Sequence, residues 1–381
     1  MLIKCFLFIY FLANKFLLSL LKLCNFNNKF CQSFLTRKTT SNEIKKVQKL
    51  ATCIWYHGAS AGELIDLIPI IESISSPTIV TASSISATKT LKKLSLLDHV
   101  KFSGIIPNEN KNDILHFLSV FNPSKFILSQ RDSWPGLYYY ANKHIKEFYW
   151  LPQINKPLPL IIKQTIGNKL HKCFVSFDDK SNINLPESKI VKVTNPRFYS
   201  TIERVNHQKT KPHVLNNHEK IFCQQKINVI IGSAHVKDVE LICKLKNINL
   251  TIIPHEYKDL KTLDEIKQLA PNANLIAKGG ILVEAYQGFD VAFIGGGFTT
   301  GVHNLIEPAL WDLPIICGPK THTQSIANDF LQNKQLKIIN TKNELNSYFK
   351  SFTKNKIQFK KLMVKNDLQK FKAEITNYKN T

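Results

Sequence analysis

Two successive α/β halves, each built on a largely parallel sheet, are what this sequence predicts. Short apolar runs alternate with amphipathic helical stretches from Lys45 onward. A polar, poorly periodic stretch, VNHQKTKPHVLNNHEKIFCQQ (205–225), then interrupts the pattern, and a second alternating series follows it. The halves are of similar size, which predicts two Rossmann-like domains facing a cleft, with chemistry at strand C-terminal ends.

The first element is set apart. MLIKCFLFIYFLANKFLLSLLKLCNF holds an apolar run bounded by Lys4 and by Asn14–Lys15, too short to span a bilayer. On a helical wheel Lys4, Lys15 and Lys22 fall within about 20 degrees of one another, and Phe, Leu and Ile cover most of the rest. The pattern predicts a membrane-associated helix over 1–30, lying in the interface with its lysines toward phosphates. A signal peptide and a true transmembrane helix are the competing readings of the same residues; no A-x-A cleavage site follows.

The first α/β domain is expected over 31–210. ATCIWYHGA reads as a strand entering a glycine-containing loop, AGELIDLIPIIESI as an amphipathic helix, SPTIVTASS as a strand and ISATKTLKKLSLL as a helix. FSGIIP is a short strand, NENKNDILHFLSVF a helix with Asn and Asp at its start, and PSKFILSQ a strand. LPLII, HKCFVSF and ESKIVKVTNPRF are further strand candidates. The domain junction is placed in 205–225, with the second domain over 211–381. There INVIIGS, INLTIIPHE, ANLIAK, FDVAFIGGG, LPIICGP and LKIINT are successive strands, with VKDVELICKLK and HNLIEPALW among the helices between them.

At 381 residues and 44% apolar, the chain is long enough for two cores. Its formal charge of +23 favours anionic partners. Only Arg37, Arg131, Arg197 and Arg204 among the 51 basic residues are arginine, so a general drift toward lysine explains the charge equally well. The lysines are dispersed, and no helix-turn-helix, zinc-finger or RNP-like pattern supports a nucleic-acid partner. Eight cysteines without CxxC pairs argue against zinc sites and disulfides and for a reducing compartment.

Two constellations point to chemistry. In FIGGGFTTGVHNLIEPALW, Gly295, Gly296 and Gly297 follow an apolar strand, where backbone amides can turn toward a ligand. The helix expected next would offer its N-terminal amides to a phosphate, with Asn304 bridging and Glu307 meeting sugar hydroxyls; a tight turn with a cap is the bland reading. Neither GxGxxG nor GxxxxGK[ST] is present in this half. Gly232, Ser233 and His255 end neighbouring strands, and Arg197 ends a strand near the junction, where it could reach an anion. In WYHGASAGE, Glu63 stands at a helix start after Ser60 and Gly62, where a carboxylate is electrostatically comfortable. It could also accept a proton from an attacking hydroxyl.

In this order, WYHGASAGE, VTASSISATK, NPSKFILSQRDSWPGL, TNPRF, IIGSAH, IIPHE and GGGFTTGVHNLIEPALWDLPIICGP resemble the 3-deoxy-D-manno-octulosonic acid (Kdo) transferases of lipopolysaccharide assembly, over about residues 50–345. The resemblance implies a GT-B fold and transfer of Kdo from CMP-Kdo to an anionic lipid A precursor, at the cytoplasmic face of the inner membrane and among its phospholipids. It implies no metal and no cofactor beyond the donor substrate. It places the general base at Glu63 and the acceptor side at Ser60, Gly62 and Asp132. The donor side falls to Arg197, Gly232, Ser233, His255, Gly295, Gly296, Gly297, Asn304 and Glu307. Gln130 stands where many members carry the first of two carboxylates, and Asp132 keeps the second. The alternatives are a GT-B glycosyltransferase with another nucleotide sugar, or a relative that binds lipid or nucleotide without catalysis.

Overall fold

The computed structural model describes residues 2–23, 29–129, 132, 134–151, 169–176, 185–193, 197–216, 221–324, 326–353 and 368–376. The strand expected at LPLII, the residues Gln130 and Arg131, and the side chains of Lys4, Lys22 and Arg197 lie outside what is described. The chain divides into two compact units, one of residues up to 200 with the last helix, the other of residues 201–353.

Unit one begins with α1 (Leu2–Leu23) and α2 (Lys29–Ile44), then alternates β1 (Cys53–Gly58), α3 (Ala61–Ser73), β2 (Thr78–Ala82), α4 (Thr88–Leu94), β3 (Val100–Ile105), α5 (Lys111–Phe121), β4 (Pro123–Ser129), α6 (Pro135–His144) and β5 (Glu147–Leu151). β6 (Leu170–Ser176) and β7 (Ile190–Val193) complete a seven-stranded sheet in the order β3-β2-β1-β4-β5-β6-β7, every pair parallel. All six residues of β1 are buried, as a strand covered on both faces requires. Trp55 of β1 packs its ring 4.2 Å from Phe126 and 5.0 Å from Phe117, and α3 buries Leu64, Leu67, Ile70 and Ile71 on the same core. Asn110 caps α5 by accepting from the Asp113 amide, and Asn122 ends it in the left-handed region.

Unit two opens within α7 (Arg197–Lys209). It continues through β8 (Ile227–Ala234), α8 (Val236–Ile242), β9 (Ile248–Pro254), α9 (Leu260–Leu269), β10 (Asn274–Leu275), α10 (Leu282–Ala285), β11 (Val291–Ile294), α11 (Ile306–Ala309), β12 (Ile315–Cys317), α12 (Ala327–Gln332), β13 (Leu336–Ile338) and α13 (Lys342–Ser351). Its six parallel strands run β10-β9-β8-β11-β12-β13. Each sheet therefore starts in the middle, grows to one edge and then reverses to the other. The reversal lies between β1 and β4 in one unit and between β8 and β11 in the other. Rossmann-type sheets bind ligands outside the strand ends at such a switch point.

Two expectations change. The division falls at residue 200/201 rather than in 205–225, and α14 (Leu368–Thr376) belongs to unit one rather than to a second domain ending at 381. The reason is burial: Phe371 and Ile375 are fully covered in the first core, with Phe371 4.5 Å from Phe174. Each such side chain contributes about 1.5–3 kcal/mol. Buried Lys125 donates to the Ile375 carbonyl, which holds the end of α14 to β4.

At the N-terminus, α1 sets Phe11 against Tyr140 at 6.3 Å and buries Leu7 and Asn14. The opposite side leaves Phe6, Phe8, Ile9, Leu12 and Phe16 exposed. Among the described residues no helix is long and apolar enough to cross a membrane.

Candidate functional site

The switch points carry most of the residues singled out by sequence, each described within its own unit; His255 instead follows β9, and Arg197, expected to end a strand, opens α7 after the edge strand β7. In unit one the end of β1 delivers His57, and the turn after it delivers Ser60, Gly62 and Glu63, all three half-buried. Ser60 is the N-cap residue of α3, without a side-chain cap bond. Glu63 instead reaches back in the first turn, and its Oε2 accepts from the Ala59 amide at 2.5 Å. The structural role of a helix-start carboxylate is thus real. Burial nevertheless pushes the Glu63 carboxyl up to about 7, against the Ala59 hydrogen bond and the neighbouring His57, which pull it down; Asp132 and Asp66 add to the rise. A carboxyl poised there exchanges a proton near neutrality.

Asp132 follows β4 and sits beside this turn. His57 Nε2 lies 2.8 Å from Asp132 Oδ2, and the Ser83 hydroxyl donates to the same oxygen. Trp134 Nε1 donates to Ser83 Oγ at 2.8 Å, and the Tyr138 hydroxyl donates to the Asp132 carbonyl at 2.8 Å. On the far side of the ring, His57 Nδ1 is 2.9 Å from Thr81 Oγ1, which also accepts from Trp55 Nε1 at 2.7 Å. Burial opposes a charge on Asp132, but the hydrogen bonds from His57, Ser83 and Trp134 with the charge of His57 win and hold its carboxyl below the usual range. An ionised carboxylate only accepts, so His57 Nε2 carries its hydrogen.

Below this network lies a pair that sequence reasoning missed. Glu109, 5% exposed, accepts from the amides of Gly136 and Leu137 at 3.0 and 2.8 Å and so caps α6. Burial pushes its carboxyl up to about 7. Arg37 of α2, 2% exposed, lays its guanidinium 3.7 Å from the Trp134 ring and 4.4 Å from that of Phe34. The available signal was compositional, since arginine is rare in this chain. Arg204, by contrast, is a bidentate partner of Glu284 at 2.8 and 2.7 Å.

In unit two, β8 and β11 bring Gly232 beside Ile294, with Ser233 and the glycine turn following. Ser233 sits at φ 52 where the β8–β9 register shifts, a bulge that breaks the ladder at the strand end. Gly295, Gly296 and Gly297 are buried. A Cβ on Gly295 would strike the Ser233 carbonyl, and Gly296 adopts φ 87. Asp238, fully buried and unnoticed in the sequence, ties the turn down. Its Oδ2 accepts from the His235 amide at 2.9 Å and from the Gly296 amide at 3.0 Å.

The helix expected over HNLIEPALW is reduced to the four residues of α11. Pro308 supplies no amide, and Asp312 at φ 56 turns the chain away. The first amide of α11, Ile306, is already taken by Asn304 Oδ1 at 2.9 Å, while Asn304 Nδ2 donates to Glu307 Oε1 at 3.0 Å. The phosphate-binding helix end therefore gives way to a capped turn holding Glu307 half-buried. Arg197 opens α7.

His255, exposed after β9, joins His235 and His303, which the sequence reading did not assign. Imidazole nitrogens of all three lie within 4.8 Å of one another. His235 Nε2 and His303 Nε2 are 3.0 Å apart, and the rings of His255 and His303 stack at 4.3 Å. Burial, with the neighbouring imidazoles, pulls the His303 ring down to about 4.

Residues 32–149 match the family model for 3-deoxy-D-manno-octulosonic-acid transferase (kdotransferase). A 3-deoxy-D-manno-octulosonic acid transferase of Aquifex aeolicus is 24% identical over 310 residues, covering 74% of this chain and 80% of that protein. Its namesake in Chlamydia muridarum is 25% identical over 362 residues, covering 82% and 80%. Among solved structures, UDP-GlcNAc 2-epimerase from Neisseria meningitidis has a similar fold, with a TM-score of 0.55 and 14% identity over 78% of this chain and 90% of that one.

Proposed function

We propose that this chain, which matches the Kdo transferase family model over residues 32–149 and resembles Kdo transferases along most of its length, transfers Kdo from CMP-Kdo to a sugar hydroxyl of a lipid A precursor, with Glu63 as general base. The observation that carries the base is its setting: a half-buried carboxyl at the β1/β4 switch point, raised to about 7. In the step, the acceptor oxygen forms a bond to the anomeric carbon of Kdo. The bond from that carbon to the CMP phosphate oxygen breaks, and the hydroxyl proton passes to Glu63. CMP leaves with the bonding electron pair.

Each residue then has a task. Asp132 and His57 hold the floor beneath the base, and Ser60 and Gly62 shape the acceptor side. The Gly295–Gly297 turn at the end of β11, bare of side chains and held down through the Gly295 and Gly296 amides, lets the leaving phosphate approach the backbone. Glu307, steadied by Asn304, takes ribose hydroxyls; Gly232, Ser233, His255 and Arg197 complete the donor side. The exposed apolar row of α1 suits the interface of the inner membrane at its cytoplasmic face, where phospholipids and an acylated, phosphorylated acceptor reside. The reaction is metal-independent.

The test is incubation of the full chain with CMP-Kdo and a tetraacylated, bisphosphorylated lipid A precursor, with the lipid product weighed by mass spectrometry. A mass gain of one or more Kdo units is expected. An unchanged lipid, with another nucleotide sugar consumed instead, would overturn the donor assignment.

A further inference from the structure

We infer that His235, His255 and His303 form a binding site for a transition-metal dication of the Zn2+ class, separate from any requirement of the transfer step. Among the described residues this is the one group of three His, Cys, Asp or Glu side chains whose ligand atoms approach so closely.

The fold makes the convergence. β9, β8 and β11 are neighbours in a parallel sheet, so their C-terminal ends emerge side by side. Each histidine is fixed at its backbone by a separate bond. His235 donates to Asp238 Oδ2 at 2.9 Å, His255 to the Ala234 carbonyl at 3.0 Å and His303 to the Gly295 carbonyl at 3.1 Å. His235 and His255 directly follow strand ends, and His303, in the loop after β11, is pinned back to Gly295, so backbone bonds preorganise all three ligands.

The geometry is close to what a metal needs. Zn2+ bound to imidazole at about 2.0–2.1 Å in a tetrahedron sets neighbouring nitrogens roughly 3.3 Å apart. His235 and His303 already face each other nitrogen to nitrogen at 3.0 Å, with ring planes 3° apart. Opening that gap by a few tenths of an ångström needs only side-chain rotation, and His255 is exposed and free to turn toward it. The Glu256 carboxylate, 3.8 Å from His255 Nε2, adds negative charge that favours a cation. Imidazole donors without thiolate select Zn2+, Co2+, Ni2+ or Cu2+ over Mg2+ and Ca2+. Three protein ligands leave a position open to water or an anionic group.

The experiment titrates the full-length, chelator-stripped protein with Co2+ and then with Zn2+. One equivalent of Co2+ should give the visible absorption of a four-coordinate, nitrogen-ligated ion without a thiolate charge-transfer band, and Zn2+ should bleach it. His255→Ala, an exposed change that leaves the strands intact, and His303→Ala should each weaken binding at least 100-fold, with circular dichroism confirming the fold. No saturable band, a thiolate band from the cysteines, or equal affinity in His255→Ala would overturn the site. None of these readings depends on transferase activity, so the site stands or falls apart from the proposed reaction.

Discussion

His57 Nε2 donates to Asp132 Oδ2 at 2.8 Å across 75 residues of chain, joining the end of β1 to the segment after β4 in a place that excludes water. The pair lies at the switch point of its sheet, next to the turn that carries Glu63. It gives the turn a rigid floor, because Ser83 and Trp134 extend the network from two further elements.

Replacing Asp132 tests that floor. Asp132→Asn removes the charge that His57 and Ser83 both address and should destabilise the protein by about 2–3 kcal/mol. Asp132→Ala, which takes the carboxylate away from His57 Nε2 altogether, should cost more. Urea unfolding followed by circular dichroism reads the difference, and an unchanged midpoint in both variants contradicts the structural part of the account.

The pH dependence has a definite sign. Glu63 and Glu109 rise from 4.5 to about 7 on folding, so the native state binds more protons than the unfolded chain between those values. Their contribution is present in full below about 4.5 and is lost as pH climbs through 7; Asp238, raised to about 6, acts in the same direction. Melting temperature should therefore fall between pH 5.5 and 8 (on the order of a few degrees). Over the same window kcat should rise, because a base works only when deprotonated. Glu109→Gln should flatten the stability slope and leave the kcat limb in place.

The glycine turn should not tolerate a methyl group. In Gly295→Ala the new Cβ meets the Ser233 carbonyl and lies within 2.8 Å of Asp238 Oδ2, and backbone cannot yield as a side-chain tip would. A loss of about 1–3 kcal/mol is expected, with CMP affinity falling alongside. Calorimetric melting and CMP titration check it together.

Much of the fold was readable because its strands are continuous buried apolar runs such as CIWYHG and TIVTA. EFYWL (β5) was passed over, being short and following the basic end of α6 almost directly. α2 was missed because KFCQSFLTRKTTSNEI has no clear apolar stripe. α14 went unread in the sequence, and only tertiary packing places it on the first sheet. In the site, Glu63, Glu307 and the three glycines announce themselves through local motifs. Asp238, Glu109 and Arg37 do not, since their roles arise from partners 58, 27 and about a hundred residues away. The histidine trio was equally hidden by its spacing along the chain.

The N-terminal helix packs on the first unit. Phe11 sits directly over Gly136, and Tyr10 lies close to Glu109, the residue that caps α6. Deleting residues 1–24 should release the protein from phospholipid vesicles and also lower its melting temperature by several degrees, as expected for exposing an apolar seat worth about 2 kcal/mol. Vesicle co-sedimentation and thermal denaturation read the two effects separately.

The most direct test of the mechanism is single-turnover transfer from CMP-Kdo to the lipid A precursor by Glu63→Gln beside the unaltered protein, with CMP binding measured on both. The account predicts a rate lower by at least about 100-fold, unchanged CMP affinity and no pH limb near 7. Transfer at a near-normal rate with the limb intact would contradict it, and the proton would then have to go to some group other than Glu63.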